Sequence, residues 1–262
     1  MRQLLYVGLG IVALYALLLA LVWWQQERLL FVPTRLAADH RFGFGSDVHE
    51  VFLDVPGARL HALHLRLTQP RGVVFFLHGN AGNLDGWFSE AEFYRRLNLD
   101  LFMVDYRGYG KSGGRIASQT QLEADVRAAW ARVAPAYAGR KRVIAGQSLG
   151  SALAAGLAAD VQPELTLLIS PYDSMRALAA RHYRWVPLAL LRYPLDTAAA
   201  LARVRTPVLL VHGERDDLIP PAHAERLARV APQADLVIVR GAGHNDLPAF
   251  APYYQALEAR LR

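Results

Sequence analysis

A series of nearly continuous apolar runs recurs along this chain, and segments with helical periodicity separate them. The runs are Val73–Leu77, Leu101–Val104, Val143–Ala145, Leu165–Ile169, Val208–Val211 and Leu236–Val239. Uninterrupted runs of this kind are typical of parallel strands that are covered on both faces. The predicted helices between and after them are Trp87–Leu97, Gln119–Ala136, Ser151–Ala159, Ala222–Val230 and Ala249–Leu261. Because strand and helix alternate, we predict an α/β fold with a three-layer, doubly wound, mostly parallel sheet.

Two segments depart from this alternation. Val48–Val55 and Leu60–Leu67 alternate polar with apolar residues on either side of Pro56-Gly57, which predicts a hairpin at an antiparallel edge with one solvated face. Residues 171–203 are too long for a simple crossover between strands. We predict that this excursion forms a small helical cap over a pocket; the alternative is that it only covers the sheet.

The N-terminus carries one long apolar segment. Leu4–Trp24 comprises 21 residues without a charge, and as a helix it would measure about 31 Å, close to the roughly 30 Å of a hydrocarbon core. Tyr6 near one end and Trp23-Trp24 at the other fit the interfacial positions of aromatic residues. We therefore predict an N-terminal transmembrane helix, with residues 1–27 as anchor and flank and residues 28–262 as the α/β domain.

Two other interpretations of this segment are open: a cleaved signal peptide and a buried globular helix. A signal peptide has a shorter apolar region that ends in small residues, whereas this one ends in Trp23-Trp24-Gln25-Gln26. The very short tail before the helix favours a cytoplasmic N-terminus and a domain on the outer, periplasmic side. We expect the helix itself to contribute nothing to the functional site.

Composition excludes several kinds of chemistry. Cysteine is absent, which excludes disulfides, thiol nucleophiles and cysteine-ligated metals. The histidines form no metal-binding pair, and His61 and His64, three apart on a strand, point to opposite faces. The net charge of +6 is not gathered into a run of basic residues. We therefore expect no metal, no cofactor and no nucleic-acid partner.

A serine motif follows one of the buried runs. Gly146-Gln147-Ser148-Leu149-Gly150 stands between the strand ending at Ala145 and the helix beginning at Ser151, which gives G-x-S-x-G in a strand–turn–helix context. The glycines allow a sharp, strained turn that exposes the serine oxygen above the sheet. The alternative is a glycine-rich helix entry with Ser148 as its N-cap.

A serine needs a base, and the base needs an orienting acid. Asp216 lies in the segment after the next-to-last strand, and His244 lies in the segment after the last one. Both positions lie beyond the carboxyl ends of strands, where open α/β sheets bind their ligands. Asp173 follows the preceding strand and is an alternative acid, whereas Asp217 and Asp246 have the character of solvated turn residues.

Taken together, the motifs resemble the serine hydrolases of the α/β-hydrolase superfamily, and in particular its membrane-anchored branch of bud-emergence-type and α/β-hydrolase-domain proteins. The motifs are His78-Gly79-Asn80-Ala81-Gly82-Asn83, Asp105-Tyr106-Arg107-Gly108-Tyr109-Gly110-Lys111-Ser112, the Ser148 turn, Ser170-Pro171-Tyr172-Asp173-Ser174, Gly213-x-x-Asp216-x-x-Ile219-Pro220 and Gly243-His244-Asn245-Asp246. They follow the family order over about residues 25–262.

The resemblance implies a role for each matching residue. Ser148 would be the nucleophile, His244 the base and Asp216 the orienting acid, selected over Asp217 by the family pattern. Backbone N–H groups of Asn80 and Leu149 would form the oxyanion hole.

The expected activity is hydrolysis of an ester or thioester, with a lipid-derived acyl substrate favoured by proximity to the membrane. Amide or peptide hydrolysis with the same triad is an alternative. A catalytically idle, membrane-tethered interaction module is another.

Overall fold

The computed structural model describes residues 1–262. Its strands are β1 (Val32–Pro33), β2 (Val48–Val55), β3 (Ala58–Leu65), β4 (Gly72–Leu77), β5 (Ala81–Gly82), β6 (Asp100–Val104), β7 (Lys141–Gln147), β8 (Leu165–Ile169), β9 (Val208–Gly213) and β10 (Ala234–Val239). Its α-helices are α1 (Arg2–Trp24), α2 (Gln26–Leu30), α3 (Leu84–Trp87), α4 (Ala91–Arg96), α5 (Gln119–Val133), α6 (Leu149–Val161), α7 (Met175–His182), α8 (Thr197–Leu201), α9 (Ala222–Val230) and α10 (Ala251–Leu261). Short 3₁₀ helices occupy Phe88–Glu90, Ala134–Tyr137, Leu188–Leu190 and Leu247–Ala249.

Eight strands form one sheet in the order β10-β9-β8-β7-β4-β6-β3-β2. The strands from β10 to β6 are parallel, and β3 runs antiparallel to both of its neighbours. The predicted doubly wound, mostly parallel sheet is therefore confirmed, as is the hairpin at Pro56-Gly57. The predicted helix Trp87–Leu97 is divided by a 3₁₀ turn and begins earlier, at Leu84.

The strand period of two separates the interior into two cores, one on each face of the sheet. In β4, Val73, Phe75 and Leu77 enter one core, and Val74 and Phe76 enter the other. Residues of α5, α6, α8 and α9 complete the first core, and residues of α3, α4 and α10 complete the second. Covering both faces with helices produces the three layers that the apolar runs predict.

The expectation of one solvated face along the hairpin is wrong for β3. Every residue from Leu60 to Leu65 is buried, because β3 is paired on both sides and each of its faces enters one of the two cores. His61 and His64 are both buried, and each has a hydrogen-bond partner. Nε2 of His61 lies 2.9 Å from the Glu50 carboxylate, and Nε2 of His64 lies 2.8 Å from the Tyr137 hydroxyl. The two polar histidines gave this segment its alternation of polar and apolar residues. Their hydrogen bonds offset the free-energy cost of burying the imidazoles.

Helix α1 stands outside the two cores. It is long and apolar enough to cross a membrane, with a mean hydropathy of 2.5 over its central window, and none of its residues is buried. Within this structure α1 is therefore not packed as a core helix. Helix α1 is a candidate membrane span.

The 171–203 excursion has two parts. Its end, α8, packs into the first core through Ala200 and Leu201. Its earlier part, from α7 to the 3₁₀ turn Leu188–Leu190, contains no buried residue and lies away from the sheet.

Strand order reverses at β4, since β6 lies on one side of it and β7 on the other. In open α/β sheets the crevice at such a reversal, beyond the carboxyl ends of the strands, is where ligands bind. Leu77 of β4 pairs in register with Gly146 of β7. The segments that follow these two residues therefore emerge side by side at this point.

Candidate active site

Ser148 occupies a strained turn between β7 and α6. Its φ of 51° and ψ of −120° lie outside the regions that residues other than glycine normally adopt. Its backbone N–H donates to the carbonyl of Ile169 at 2.9 Å, which ties the turn to β8. A Cβ on Gly150 would collide with the carbonyl oxygens of Leu77 and His78, and one on Gly146 would collide with the backbone of Gly150. Glycine is therefore required on both sides of the serine.

A chain of hydrogen bonds runs from the serine to a carboxylate. The Ser148 hydroxyl lies 3.0 Å from Nε2 of His244, and Nδ1 of His244 lies 2.7 Å from Oδ2 of Asp216. An ionised carboxylate can only accept, so Nδ1 carries the proton and leaves Nε2 free to accept from the serine. The three side chains predicted from the sequence are thus brought together.

Asp216 is held in its ionised form. Burial opposes ionisation, but hydrogen bonds from His212, His244 and the Ile219 backbone outweigh it and hold the pKa of Asp216 well below its usual range. The other carboxylate oxygen accepts from the N–H groups of Leu218 at 3.0 Å and Ile219 at 2.8 Å. Asp216 therefore keeps a fixed orientation and a negative charge throughout the neutral range of pH.

The other candidate acids lie elsewhere. Asp217 is exposed to solvent, and Asp246 accepts a hydrogen bond from the N–H of Gly243 at 2.6 Å. Asp173 lies 2.9 Å from Nδ1 of His223 and 2.5 Å from Nε of Arg226. The structure thus pairs Asp173 with α9 rather than with His244.

The loop after β4 contains a backbone N–H, that of Asn80, without a backbone acceptor. Nδ1 of His78 donates to the carbonyl of Gly79 at 2.7 Å. In a trans peptide the C=O and N–H point in opposite directions, so this bond fixes the direction of the Asn80 N–H. The Asn80 N–H donates to no backbone carbonyl, and Leu149, as the first residue of α6, has no intrahelical acceptor for its own. Both residues line the same pocket as Ser148.

Two tyrosines hold this loop in place. The hydroxyl of Tyr106 donates to the carbonyl of His78 at 2.8 Å, and that of Tyr109 donates to the carbonyl of Asn80 at 2.6 Å. Both belong to the glycine-containing segment 105–112 that follows β6. In the sequence, that segment is a motif of the family resemblance without an assigned role. Buried tyrosines need a partner for the hydroxyl, which is the signal that could have revealed this role.

The segment that follows α1 and α2 also reaches the loop. Strand β1 pairs in parallel with β5, Val32 opposite Ala81 and Pro33 opposite Gly82. The N–H of Val32 donates to the carbonyl of Asn80 at 2.8 Å. No periodicity in a two-residue strand could have predicted this pairing.

A pocket of about 640 Å³ opens above Ser148. Sixteen of its 21 lining residues are hydrophobic, and none is Asp or Glu. The excursion supplies one wall, including Met175, Tyr183, Trp185 and Leu188. A predominantly apolar lining with few polar groups is typical of small-molecule sites.

The prediction that the N-terminal helix contributes nothing to the site is wrong. Val22 of α1 and Gln26, Leu29 and Leu30 of α2 line the pocket, so the N-terminal helix does contribute to the site. The reason is a polar contact that apolar periodicity does not reveal. Gln26 is buried, its amide donating to the carbonyl of Leu190 at 2.9 Å and accepting from the N–H of Arg192 at 2.7 Å.

Fold and site together define the class of α/β hydrolases, in which a serine stands on the turn after a central parallel strand. A family profile described as serine aminopeptidase, S33 matches residues 68–193, and one described as TAP-like protein matches residues 190–251.

Curated relatives agree with this assignment. An uncharacterised protein of Mycobacterium tuberculosis is 34% identical over 254 residues, covering 91% of this chain and 89% of the relative. Human alpha/beta hydrolase domain-containing protein 17B is 30% identical over 213 residues, covering 77% and 70% respectively. An esterase of Pyrococcus furiosus shares the fold with a TM-score of 0.67 at 17% identity, covering 88% of this chain and 97% of its own. The chain belongs to the α/β-hydrolase superfamily.

Removing β1 should loosen the loop that carries Asn80. We expect the amides of residues 78–84 to exchange with deuterium at least severalfold faster in a chain beginning at Arg35 than in one beginning at Gln25, because the shorter chain lacks the pairing of β1 with β5. Hydrogen–deuterium exchange mass spectrometry measures this. Both chains lack α1, which matches them in solubility, and α5 provides an internal reference. Equal exchange in the two chains would mean that the loop keeps its shape without β1.

Proposed function

We propose that this protein is a membrane-anchored serine hydrolase that cleaves carboxylic esters or thioesters through an acyl-enzyme on Ser148. The observation that carries the proposal is the hydrogen-bonded series Ser148, His244 and Asp216, with distances of 3.0 and 2.7 Å. A strained nucleophile with a base in hydrogen-bond reach, itself oriented by a carboxylate, is the arrangement that activates a hydroxyl.

The reaction proceeds in two stages. The Ser148 oxygen attacks the acyl carbon while its proton passes to Nε2 of His244, giving a tetrahedral intermediate. Collapse of this intermediate breaks the bond to the alcohol or thiol, which leaves with the proton from His244. A water molecule then attacks the acyl-enzyme, His244 again takes the proton, and the free acid leaves as Ser148 regains it.

Charge develops on the carbonyl oxygen during both attacks. The N–H groups of Asn80 and Leu149 would donate to it, and loss of one such donor typically costs about 10²–10³ in kcat. In the proposed mechanism, His78, Tyr106 and Tyr109 act as positioning residues, because they hold the backbone of the loop rather than touch the substrate. Asp216 stabilises the imidazolium of His244 without being protonated.

The pocket favours an apolar acyl group. Its volume of about 640 Å³ lies within the usual range for small-molecule sites, roughly 300–1,000 Å³. The matching family profile is described as a serine aminopeptidase, which makes amide hydrolysis a second candidate. An aminopeptidase must bind a cationic α-amino group, and the pocket lining contains no carboxylate to pair with it. We therefore favour esters and thioesters.

We also propose that α1 anchors the protein in a membrane, with the α/β domain on the outer side. None of its residues is buried, and exposure of so many apolar side chains is unfavourable in water and favourable in lipid. A cleaved signal sequence would not be expected to make specific contacts with the folded domain. Here Arg192 lies over the ring of Trp23 at 5.0 Å, and the hydroxyl of Tyr15 donates to the carbonyl of Trp185 at 2.7 Å.

The anchor can be tested by extraction. Full-length protein should stay with the membrane fraction in high salt and in alkaline carbonate and should leave it only in detergent, because about 20 apolar residues in lipid cannot be displaced by screening of charge. A chain beginning at Gln25 should be soluble under the same conditions. Release of the full-length chain by salt alone would contradict the anchor and favour electrostatic attachment.

Replacing the nucleophile should abolish turnover. We expect Ser148→Ala to lower hydrolysis of p-nitrophenyl esters by about 10⁴-fold or more and to prevent labelling by a fluorophosphonate, because no other atom can form the acyl-enzyme. Ser89→Ala, at an exposed serine, is the control and should keep both properties. Absence of label on the wild-type protein would contradict the hydrolase proposal and favour an interaction module. Faster cleavage of aminoacyl p-nitroanilides than of esters would favour the alternative hypothesis of amide hydrolysis.

The two neighbouring aspartates should differ sharply. Asp216→Asn would favour the wrong tautomer of His244 and lower kcat by roughly 10⁴-fold, as in other triads. Asp217→Asn changes an exposed carboxylate and should lower kcat by less than about tenfold. Steady-state kinetics with one soluble ester compares them, with circular dichroism as a check on folding. A dead Asp217→Asn variant beside an active Asp216→Asn variant would refute the assignment of the acid.

A further inference from the structure

The contact between Tyr15 and Trp185 relates the excursion to the membrane. Tyr15 lies nine residues before the end of α1, about 14 Å along the helix, yet its hydroxyl bonds to the Trp185 carbonyl. If the excursion stayed wholly outside the bilayer, Leu4–Leu14 alone would have to cross it. That segment measures about 17 Å, against about 30 Å of hydrocarbon. If α1 spans the bilayer, as proposed above, part of the helix beside the excursion therefore lies within it.

The edge of the excursion near this contact has the chemistry of a membrane interface. Tyr183 and Trp185 expose 54% and 49% of their surfaces. Between Ser174 and Leu195 the chain contains no acidic residue but several arginines, of which Arg181 and Arg184 are exposed. Aromatic side chains at the boundary, with arginines reaching toward phosphate, are typical of segments that lie about 5–10 Å deep in one leaflet.

The same residues line the pocket. Trp185 and Tyr183 form part of one wall and Val22 of α1 part of the other, with Ser148 also among the lining residues. An opening between α1 and the excursion would therefore face the acyl chains of the leaflet rather than water. An acyl chain passing from lipid into such a pocket stays in apolar surroundings throughout, so it avoids the cost of crossing water.

We propose that residues 183–189 of the excursion insert into the leaflet beside α1, and that the pocket receives the acyl chain of a lipid ester directly from that leaflet. The second part rests on the proposed hydrolase function. It specifies the substrate class as long-chain fatty-acid esters dissolved in the same bilayer as the enzyme, rather than esters dissolved in water.

Insertion can be measured without reference to catalysis. The natural chain has no cysteine, so Tyr183→Cys, or Ala189→Cys if the first folds poorly, can carry a single environment-sensitive fluorophore. Val161→Cys is the control, because it ends α6, whose first turn adjoins Ser148, and therefore lies about 20 Å from the pocket. Full-length protein is reconstituted in phosphatidylcholine vesicles containing lipid with a nitroxide at carbon 5 of the acyl chain.

We expect severalfold stronger quenching and a blue-shifted emission for the label at 183 or 189 than for the label at 161. Fluorophosphonate labelling of Ser148 in each variant checks that the site is folded. Equally weak quenching at these positions and at 161 in folded protein would overturn insertion of the excursion.

Entry from the leaflet is tested by where the substrate is placed. Enzyme vesicles that themselves contain a long-chain fluorogenic ester should hydrolyse it at once. The same ester supplied in separate vesicles should be hydrolysed only after a lag set by lipid exchange. p-Nitrophenyl acetate, which is water-soluble, should react equally in both arrangements, and vesicles with Ser148→Ala give the background.

The two proposals fail in different ways. If the short ester is hydrolysed and the long ester reacts equally fast from separate vesicles, entry from the leaflet is wrong and the hydrolase proposal stands. If neither ester reacts and no fluorophosphonate label forms, the hydrolase proposal is wrong, and fluorescence quenching still decides whether the excursion is inserted.

Discussion

The close approach of α6 to the end of β4 is the constraint on which the site depends. Only glycine fits at position 150, because the carbonyl oxygens of Leu77 and His78 fill the space that a Cβ would need. That contact places the strained turn at Ser148 directly beside the loop that carries Asn80. A serine with a strained backbone costs of order 1–3 kcal/mol and persists only when its surroundings over-determine it. Here the packing of glycine on backbone and the bond from Ser148 to β8 do so.

Two buried carboxylates organise the loops around this contact, and each has two histidines near it. Asp105 lies 3.9 Å from His61 and 3.5 Å from His78, and burial of its carboxyl is outweighed by these histidines, which hold its pKa below the usual value. Asp216 is flanked by His212 and His244 in the same way. The difference lies in access: the side chains of His61, His78 and His212 are fully buried, whereas His244 is 10% exposed and faces the serine. The Asp105 cluster is therefore closed to solvent, whereas His244 of the Asp216 cluster contacts both solvent and the Ser148 hydroxyl.

The N-terminal segment joins the candidate membrane span to this arrangement. Glu27 of α2 accepts from the Tyr193 hydroxyl at 2.8 Å and pairs with Arg192 at 2.7 Å, so the segment is fixed to the end of the excursion. Phe31 then packs edge-to-face on Tyr193, and β1 pairs with the loop bearing Asn80. A continuous set of ordered contacts therefore leads from α1 to the backbone beside Ser148. Helix α1 and the candidate site are connected through these contacts, whereas the sequence predicted that α1 contributes nothing to the site.

Local sequence determined most of the architecture and predicted which side chains the candidate site brings together. Apolar runs and helical periodicity depend on which faces a segment buries, so they revealed the parallel sheet and its helices. The candidate site was predicted from the glycines around Ser148 and from the positions of Asp216 and His244 after successive strands. These positions are informative because strand ends meet at one edge of a parallel sheet. The long apolar stretch likewise revealed a candidate membrane span, because a segment that is apolar on every side is suited to lipid.

Only the tertiary structure decided the contacts between segments far apart in the chain. The burial of His61 and His64 depends on partners in other elements, which their own alternation could not reveal. The pairing of β1 with β5, and of Gln26 with Leu190 and Arg192, joins segments about 50 and 165 residues apart through single polar groups. Such bonds leave no periodic trace in a sequence. They exist because a buried polar group must find an acceptor or donor wherever the fold supplies one.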